Sequence, residues 1–132
     1  MKVIHGRETD APSIKQSDGF TGEVWADPVL RGAEGASVHT VFFAPGARTH
    51  WHRHSHGQIL HITGGSGVVV TRDEAVEVRA GDTVWSPPGA EHWHGAGEDG
   101  YLIHTAISLG EHTWLDPVTD EEYKHRLDPG NR

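Results

Sequence analysis

The chain has 132 residues, and its 19 Asp and Glu outnumber its 11 Lys and Arg to give a formal charge of −8. That sign argues against nucleic acid or an anionic membrane surface, both of which need clustered basic side chains. There is no cysteine, so disulfides and thiolate metal sites are excluded and any metal must take nitrogen and oxygen ligands. The length suits a single domain spanning 1–132, with its core over about 20–110. The start mixes Lys2, His5, Arg7, Glu8 and Asp10. It therefore lacks a signal-peptide apolar core, and no apolar run approaches a membrane span, so a cytoplasmic protein is expected.

In chain order, the first dozen residues read as an arm. Phe20–Trp25 reads as a first strand ended by Asp27-Pro28, and Arg31–Gly35 as a turn or loop. Ser37–Ala44 is β-branched and aromatic and stops at Pro45-Gly46. Further strands are expected at Thr49–His54, Gln58–Thr63, Gly67–Arg72, Ala75–Arg79, Thr83–Ser86, His92–Gly95 and Tyr101–Leu109. Gly64-Gly65-Ser66-Gly67 marks the turn between the second and third of these. Many short strands at this spacing indicate an all-β sandwich or barrel. One helix closes the chain, announced by the capping box Thr119-Asp120-Glu121-Glu122.

Strand alternation places His52 and His54 on one face, with His50 in phase and Trp51 and Arg53 opposite. Two imidazoles at i and i+2 cannot close a metal site alone. His92, after the turn Pro87-Pro88-Gly89, can bring another imidazole beside them. His94 is in phase with His92, and Trp93 faces away. The same logic groups Gln58, Leu60 and Ile62; Leu102, His104, Ala106 and Ser108; and His39, Val41 and Phe43. His94 is in position to reach a bound small molecule, the plain alternative being a structural hydrogen bond. His104 and His39 are read equally as site groups or as satisfied core histidines. His50 and His56 read as rim residues, while His5, His61, His112 and His125 carry no signal. The tryptophans at 25, 51, 85, 93 and 114 read as core or interface residues. With Trp51 and Trp93 facing outward, a homo-oligomer (dimer or tetramer) is expected to bury them.

Gly46, His52, His54, Gln58 and Gly65, followed by Gly81, Pro87, Gly89, His92 and Ala96, stand at the spacings of two motifs. Together they resemble the signatures of the cupin superfamily, with Gln58 in place of the usual Glu and Ala96 in place of the usual Asn. The resemblance implies a double-stranded β-helix, that is, a jelly-roll barrel, with a short C-terminal helix. It also implies a divalent metal held by His52, His54, Gln58 and His92, or by the three histidines with Gln58 just behind them. Such a nitrogen and oxygen set suits manganese, iron(II), nickel or zinc.

A narrower resemblance rests on Gly46-Ala47-Arg48-Thr49, Trp51-His52, Gly57-Gln58, His92-Trp93-His94-Gly95-Ala96, His104 and Val118-Thr119-Asp120-Glu121. It is to small bacterial cupins whose best understood members are manganese-dependent (R)-selective hydroxynitrile lyases. This implies a lyase acting on a small aldehyde or cyanohydrin, with Mn²⁺ as cofactor. His94 and His104 are then the first candidates for the base and His39 the third. Val41, Phe43, Leu60 and Ile62 are expected as apolar walls. Two readings compete: an oxygenase using iron(II) in the same site, and a non-catalytic cupin that binds a metal or a small ligand.

Overall fold

A computed structural model of the chain describes residues 1–8 and 10–132. Thr9, inside the expected N-terminal arm, lies outside the described residues. The strands are β1 (Ile14–Gln16), β2 (Phe20–Thr21), β3 (Val24–Ala33), β4 (Ala36–Phe43), β5 (Arg48–Thr49), β6 (His52–His54) and β7 (Gln58–Thr71). They continue with β8 (Ala75–Arg79), β9 (Thr83–Ser86), β10 (His92–Ala96), β11 (Leu102–Leu109) and β12 (His112–Trp114), and the helix is α1 (Asp120–Leu127).

All pairings are antiparallel, and they wrap the strands into a barrel-shaped sheet. One side runs β1-β3-β4-β11-β7-β9, and the other runs β8-β7-β10-β5-β2, with β6 carried by β10 and flanked by β12. The strand shared by both sides is β7. Its first half pairs with β11 and β9, its second half with β10 and β8. The corner falls at Gly64-Gly65, where a turn between two separate strands is expected from sequence. Gly65 holds φ at +69°, and a Cβ there would run into the Tyr101 carbonyl oxygen. Only glycine lets the chain turn that corner without breaking the strand.

Three further boundaries differ from the sequence expectation. Asp27-Pro28 does not end its strand: β3 continues to Ala33, and the missing Pro28 N–H is absorbed where the register against β4 shifts between Pro28 and Leu30. The turn after it shrinks to Glu34-Gly35, both at positive φ, a two-residue hairpin rather than a loop over 31–35. The strand expected over 20–25 divides at Gly22, which has φ +84° and sits with the Ala47 backbone 2.9 Å from where a Cβ would stand.

The expected alternation holds where it matters most. Leu60, Ile62, Leu102, Val41 and Phe43 face inward and build a core with Val24 and Val69. A second cluster forms on the outer side of β6 and β10, where Trp51 and Trp93 pack with Val68, Val70, Val118 and Tyr123. Here the expectation needs correction. Trp51 and Trp93 do point away from the barrel interior, yet they are only 4 % and 0 % exposed, because the C-terminal segment covers them. The cover is built from a capped helix. Thr119 Oγ1 accepts from the Glu122 N–H, and acidic residues occupy the first turn. Tyr123 donates its hydroxyl to the Ala96 carbonyl at 2.6 Å, and Arg48 reaches Asp120 and the Val118 carbonyl, each at 2.7 Å. Trp51 and Trp93 therefore need no second copy to bury them. Of the exposed aromatic side chains, Trp25, Phe42, Trp85 and Tyr101 lie on the opposite side of the barrel, and Trp114 lies on β12 beside β6. Among the described residues no helix is long and apolar enough to cross a membrane.

Candidate metal centre

Register places the site. His92 on β10 lies directly across from His52 on β6, and His54 follows two residues later on the same face. All three are buried, and one ring nitrogen from each lies within 4.8 Å of the others, so the cluster could hold a metal ion. The Nε2 atoms of His52 and His92 stand 3.0 Å apart. Their outer nitrogens are held from behind. His52 Nδ1–H donates to the His50 carbonyl at 2.9 Å, which leaves Nε2 a bare lone pair turned inward. His92 Nδ1 lies 2.8 Å from the Ser86 hydroxyl at the end of β9. The turn that follows Ser86 is tied to β6, since the Gly89 N–H donates to the His54 carbonyl at 2.9 Å.

Gln58 opens β7 beside these rings. Its Nε2 donates to Ser108 Oγ at 3.0 Å, and its Oε1 is buried with no hydrogen-bond partner. Both ring nitrogens of His54 are likewise buried and unpartnered. A buried polar atom left without a partner costs on the order of 1–3 kcal/mol, so several in one cavity need a common explanation. Lone pairs from imidazole nitrogen and an amide oxygen suit a divalent cation. The protonation states agree. Burial pushes His52 well below its ordinary value, His54 down to about 4 and His92 down to about 3. At neutral pH all three are uncharged, the form that ligates metals.

A second imidazole pair sits next to the first group. His94 Nδ1 and His104 Nε2 share a hydrogen bond of 3.1 Å, while His94 Nε2 and His104 Nδ1 are buried without partners. The His94 ring lies 5.3 Å from that of His52 and 5.4 Å from that of His92. Phe43 packs against both members of the pair. Burial, reinforced by His104, holds His94 well below the usual imidazole range, and burial lowers His104 to about 4. His39, across from Ala106 on β4, is half-buried and lines the same cavity; burial first, then Arg31, lowers its pKa.

The cavity has a volume of about 310 Å³. Val41 and Phe43 line it as expected, but Leu60 and Ile62 do not: both are fully buried in the core. Their places are taken by Phe20, Ala26, Ala106 and Trp114. His50 stays outside the cavity, as a rim residue should, although strand alternation would put it in phase with His52. His50 and Trp51 separate β5 from β6, so the alternation does not run through, and the His50 ring packs 6.3 Å from Trp114 instead of entering the cavity. What His50 contributes is the carbonyl that orients His52. His112, which carries no sequence signal, lines the cavity and lies across from His54. His56 sits at an exposed turn against Ser55, and His61 bonds Thr83 on the outer face.

Residues 39–107 match the family described as Cupin domain. The chain is 43% identical over 115 residues to an (R)-mandelonitrile lyase of Granulicella tundricola, covering 82% of this chain and 88% of that one. Among solved structures, a cupin-like protein of Thermotoga maritima is 37% identical. It superposes with a TM-score of 0.81 and covers 98% of each chain. The polyketide cyclase RemF of Streptomyces resistomycificus shares the fold at 20% identity, with a TM-score of 0.71 over 99% of this chain and 96% of its own.

Proposed function

Since the chain belongs to the cupin family, we propose that it is a metal-dependent carbon–carbon lyase that cleaves and forms cyanohydrins. In this reading His52, His54, His92 and the Gln58 amide oxygen hold a divalent metal. Manganese stands first, with iron(II), nickel and zinc also suited to such a donor set. The identity to a mandelonitrile lyase supports the reaction class. The observation that carries the reading is the buried His94–His104 pair, because a site that only bound a metal or a metabolite needs no spare base beside it.

A metal held by these residues supplies Lewis acidity toward negative charge developing on a substrate oxygen. The rest is work for side chains. A free imidazole nitrogen, His94 Nε2 or His104 Nδ1, takes the proton of the cyanohydrin hydroxyl. As the carbonyl forms, the bond to the nitrile carbon breaks and its electron pair leaves with cyanide. The imidazolium then returns the proton, and hydrogen cyanide departs. Burial suits the pair to this role by keeping both rings neutral, and so able to accept a proton, at neutral pH. His39 faces the same space and is the third candidate. Val41, Phe43 and Ala106 give the organic group an apolar wall and keep water off the reacting atoms.

An oxygenase, or a cupin that merely binds, would use the same three imidazoles, so the test has to separate them. Manganese-loaded protein should release benzaldehyde from mandelonitrile and consume no oxygen. His52→Ala and His92→Ala should each lose both the metal, by elemental analysis, and the activity. Full metal occupancy in both variants would sink the ligand set. Oxygen uptake without cyanohydrin cleavage would sink the lyase.

The homo-oligomer expected from sequence moves, in this proposal, to another face. The outward positions of β4, β11, β9 and the first half of β7 are Val38, Thr40 and Phe42; Ile103, Thr105 and Ile107; Thr83 and Trp85; and Ile59, His61 and Thr63. None is a carboxylate, ammonium or guanidinium. Two copies that each carry a charge of −8 meet with least repulsion across such a face.

A further inference from the structure

The strand β12 is three residues long and exposed, and among the described residues it pairs with β6 alone. Its register sets His112 across from His54 and Trp114 across from His52. Since β10 lies on the other flank of β6, His52 and His54 stand between the β10 side chains and the β12 rings. Trp114 lines the cavity, with its ring 5.1 Å from that of His52 and 5.3 Å from that of His112.

The indole is held in place. Phe20 meets it edge-on at 5.4 Å, and Phe20 also lines the cavity. Gly19, at φ +85°, lies against it so closely that a Cβ would come within 2.5 Å of the ring. Just beyond it, the Leu115 N–H donates to the Trp51 carbonyl at 2.8 Å and anchors the strand end. Nevertheless Trp114 remains 37 % exposed. A large aromatic surface fixed beside a metal-ligating histidine, and left partly uncovered, is a surface on which a flat ring can stack.

We propose that Trp114, backed by Phe20, is the residue that selects substrates carrying an aromatic ring on the reacting carbon. This rests on the lyase reading for the nature of the reacting group. The wall itself is a matter of binding and is open to a measurement that involves no reaction.

Benzamide and isobutyramide are unreactive probes that share a carbonyl and differ in whether a flat ring adjoins it. Their dissociation constants should be measured by calorimetry on metal-loaded protein, with mandelonitrile cleavage followed in parallel. The parent should bind benzamide more tightly. Trp114→Leu, which keeps apolar bulk without an aromatic face, should weaken benzamide by about three- to ten-fold, the range expected of one aromatic pair. Isobutyramide should change by less than about two-fold, and Trp114→Phe should keep most of the preference. No benzamide preference in the parent, or equal losses for both amides in Trp114→Leu, would overturn the assignment. A preference that behaves as expected in a protein inert toward mandelonitrile supports the wall and rejects the lyase. Cleavage of mandelonitrile with no ring preference does the reverse.

Discussion

His94 Nδ1 and His104 Nε2 lie 3.1 Å apart in a pocket where the remaining nitrogen of each ring has no partner. One proton occupies that bond whenever both rings are neutral, so each ring fixes the tautomer of the other. If His104 carries the shared proton on Nε2, its Nδ1 is the free base; if His94 carries it on Nδ1, the base is His94 Nε2.

Replacing either partner separates these cases. In the lyase reading, His94→Ala should retain metal and substrate affinity and lose about 10²–10⁴-fold in turnover, the usual worth of general acid–base catalysis. His104→Ala should cost as much only if His104 is the base, and less if it merely orients His94. The pH profile follows from burial. An imidazole accepts a proton only while neutral, and burial lowers His104 to about 4 and His94 well below its ordinary value. The acid limb of turnover in the metal-saturated parent should therefore lie well below 6.5, and near pH 4 if His104 is the base, with metal content checked at each point. A limb near 6.5, surviving in both variants, would remove the pair from the mechanism.

Gln58 offers a second test. Its amide nitrogen donates to Ser108, so the oxygen is the atom left for the cavity. In Gln58→Glu the Ser108 hydroxyl can reverse and donate to one carboxylate oxygen, so the side chain is expected to keep its place. The added negative charge should hold a divalent metal as well or better while cancelling part of its charge. Metal content should stay and turnover should fall, by at least about ten-fold if the amide tunes the centre. Unchanged turnover at unchanged occupancy would show that the amide does not matter to the chemistry.

How much of this could be read from sequence depends on the signal each residue leaves. His52, His54 and His92 were legible because strands alternate with period two and the two cupin motifs carry their spacing. The inward run Gln58, Leu60, Ile62 and its neighbour Leu102, His104, Ala106 were legible for the same reason. His50 was legible as a rim residue from its place beside the motif, but its phase with His52 does not hold, because His50 and Trp51 lie between β5 and β6 and alternation cannot show such a break. Trp114 and His112 escaped because a three-residue edge strand has no periodicity to detect. Trp51 and Trp93 were oriented correctly but assigned the wrong cover. The apolar contacts of the C-terminal segment come chiefly from Val118, Leu115, Tyr123 and Leu127, too few and too scattered to announce a lid.

Metal-free protein should be sensitive to acid, and the direction follows from the same burial. For a histidine whose folded pKa is depressed, the unfolded chain binds the proton more readily. The stability contributed by keeping the ring neutral is complete above the unfolded value of 6.5 and is lost as pH falls toward the folded value. His54 and His104 are lowered to about 4 and His92 to about 3, so the loss should develop between pH 6.5 and about 3–4. Thermal midpoints of the stripped protein should fall across that window. Replacing His104 with Phe, which cannot titrate, should flatten part of the fall. A midpoint constant from pH 6.5 to 4 would contradict the buried, neutral state of these rings.

The oligomer prediction sets two exposed apolar residues against each other. Phe42 is 37 % exposed on the uncharged outer face of β4, stacked 6.1 Å from Tyr101. Val76 is 48 % exposed on β8, on the other side of the barrel. Glutamate at either site is solvated in the monomer, so neither change should impair folding. Across a paired face, however, Phe42→Glu sets two like charges in an apolar contact and removes a ring from each partner. Light scattering on the parent at micromolar concentration should give a multiple of the monomer mass, and Phe42→Glu should give the monomer. Val76→Glu should keep the parent mass. If the Val76 variant dissociates and the Phe42 variant does not, the contact lies on the other side of the barrel. A monomeric parent would remove the oligomer altogether.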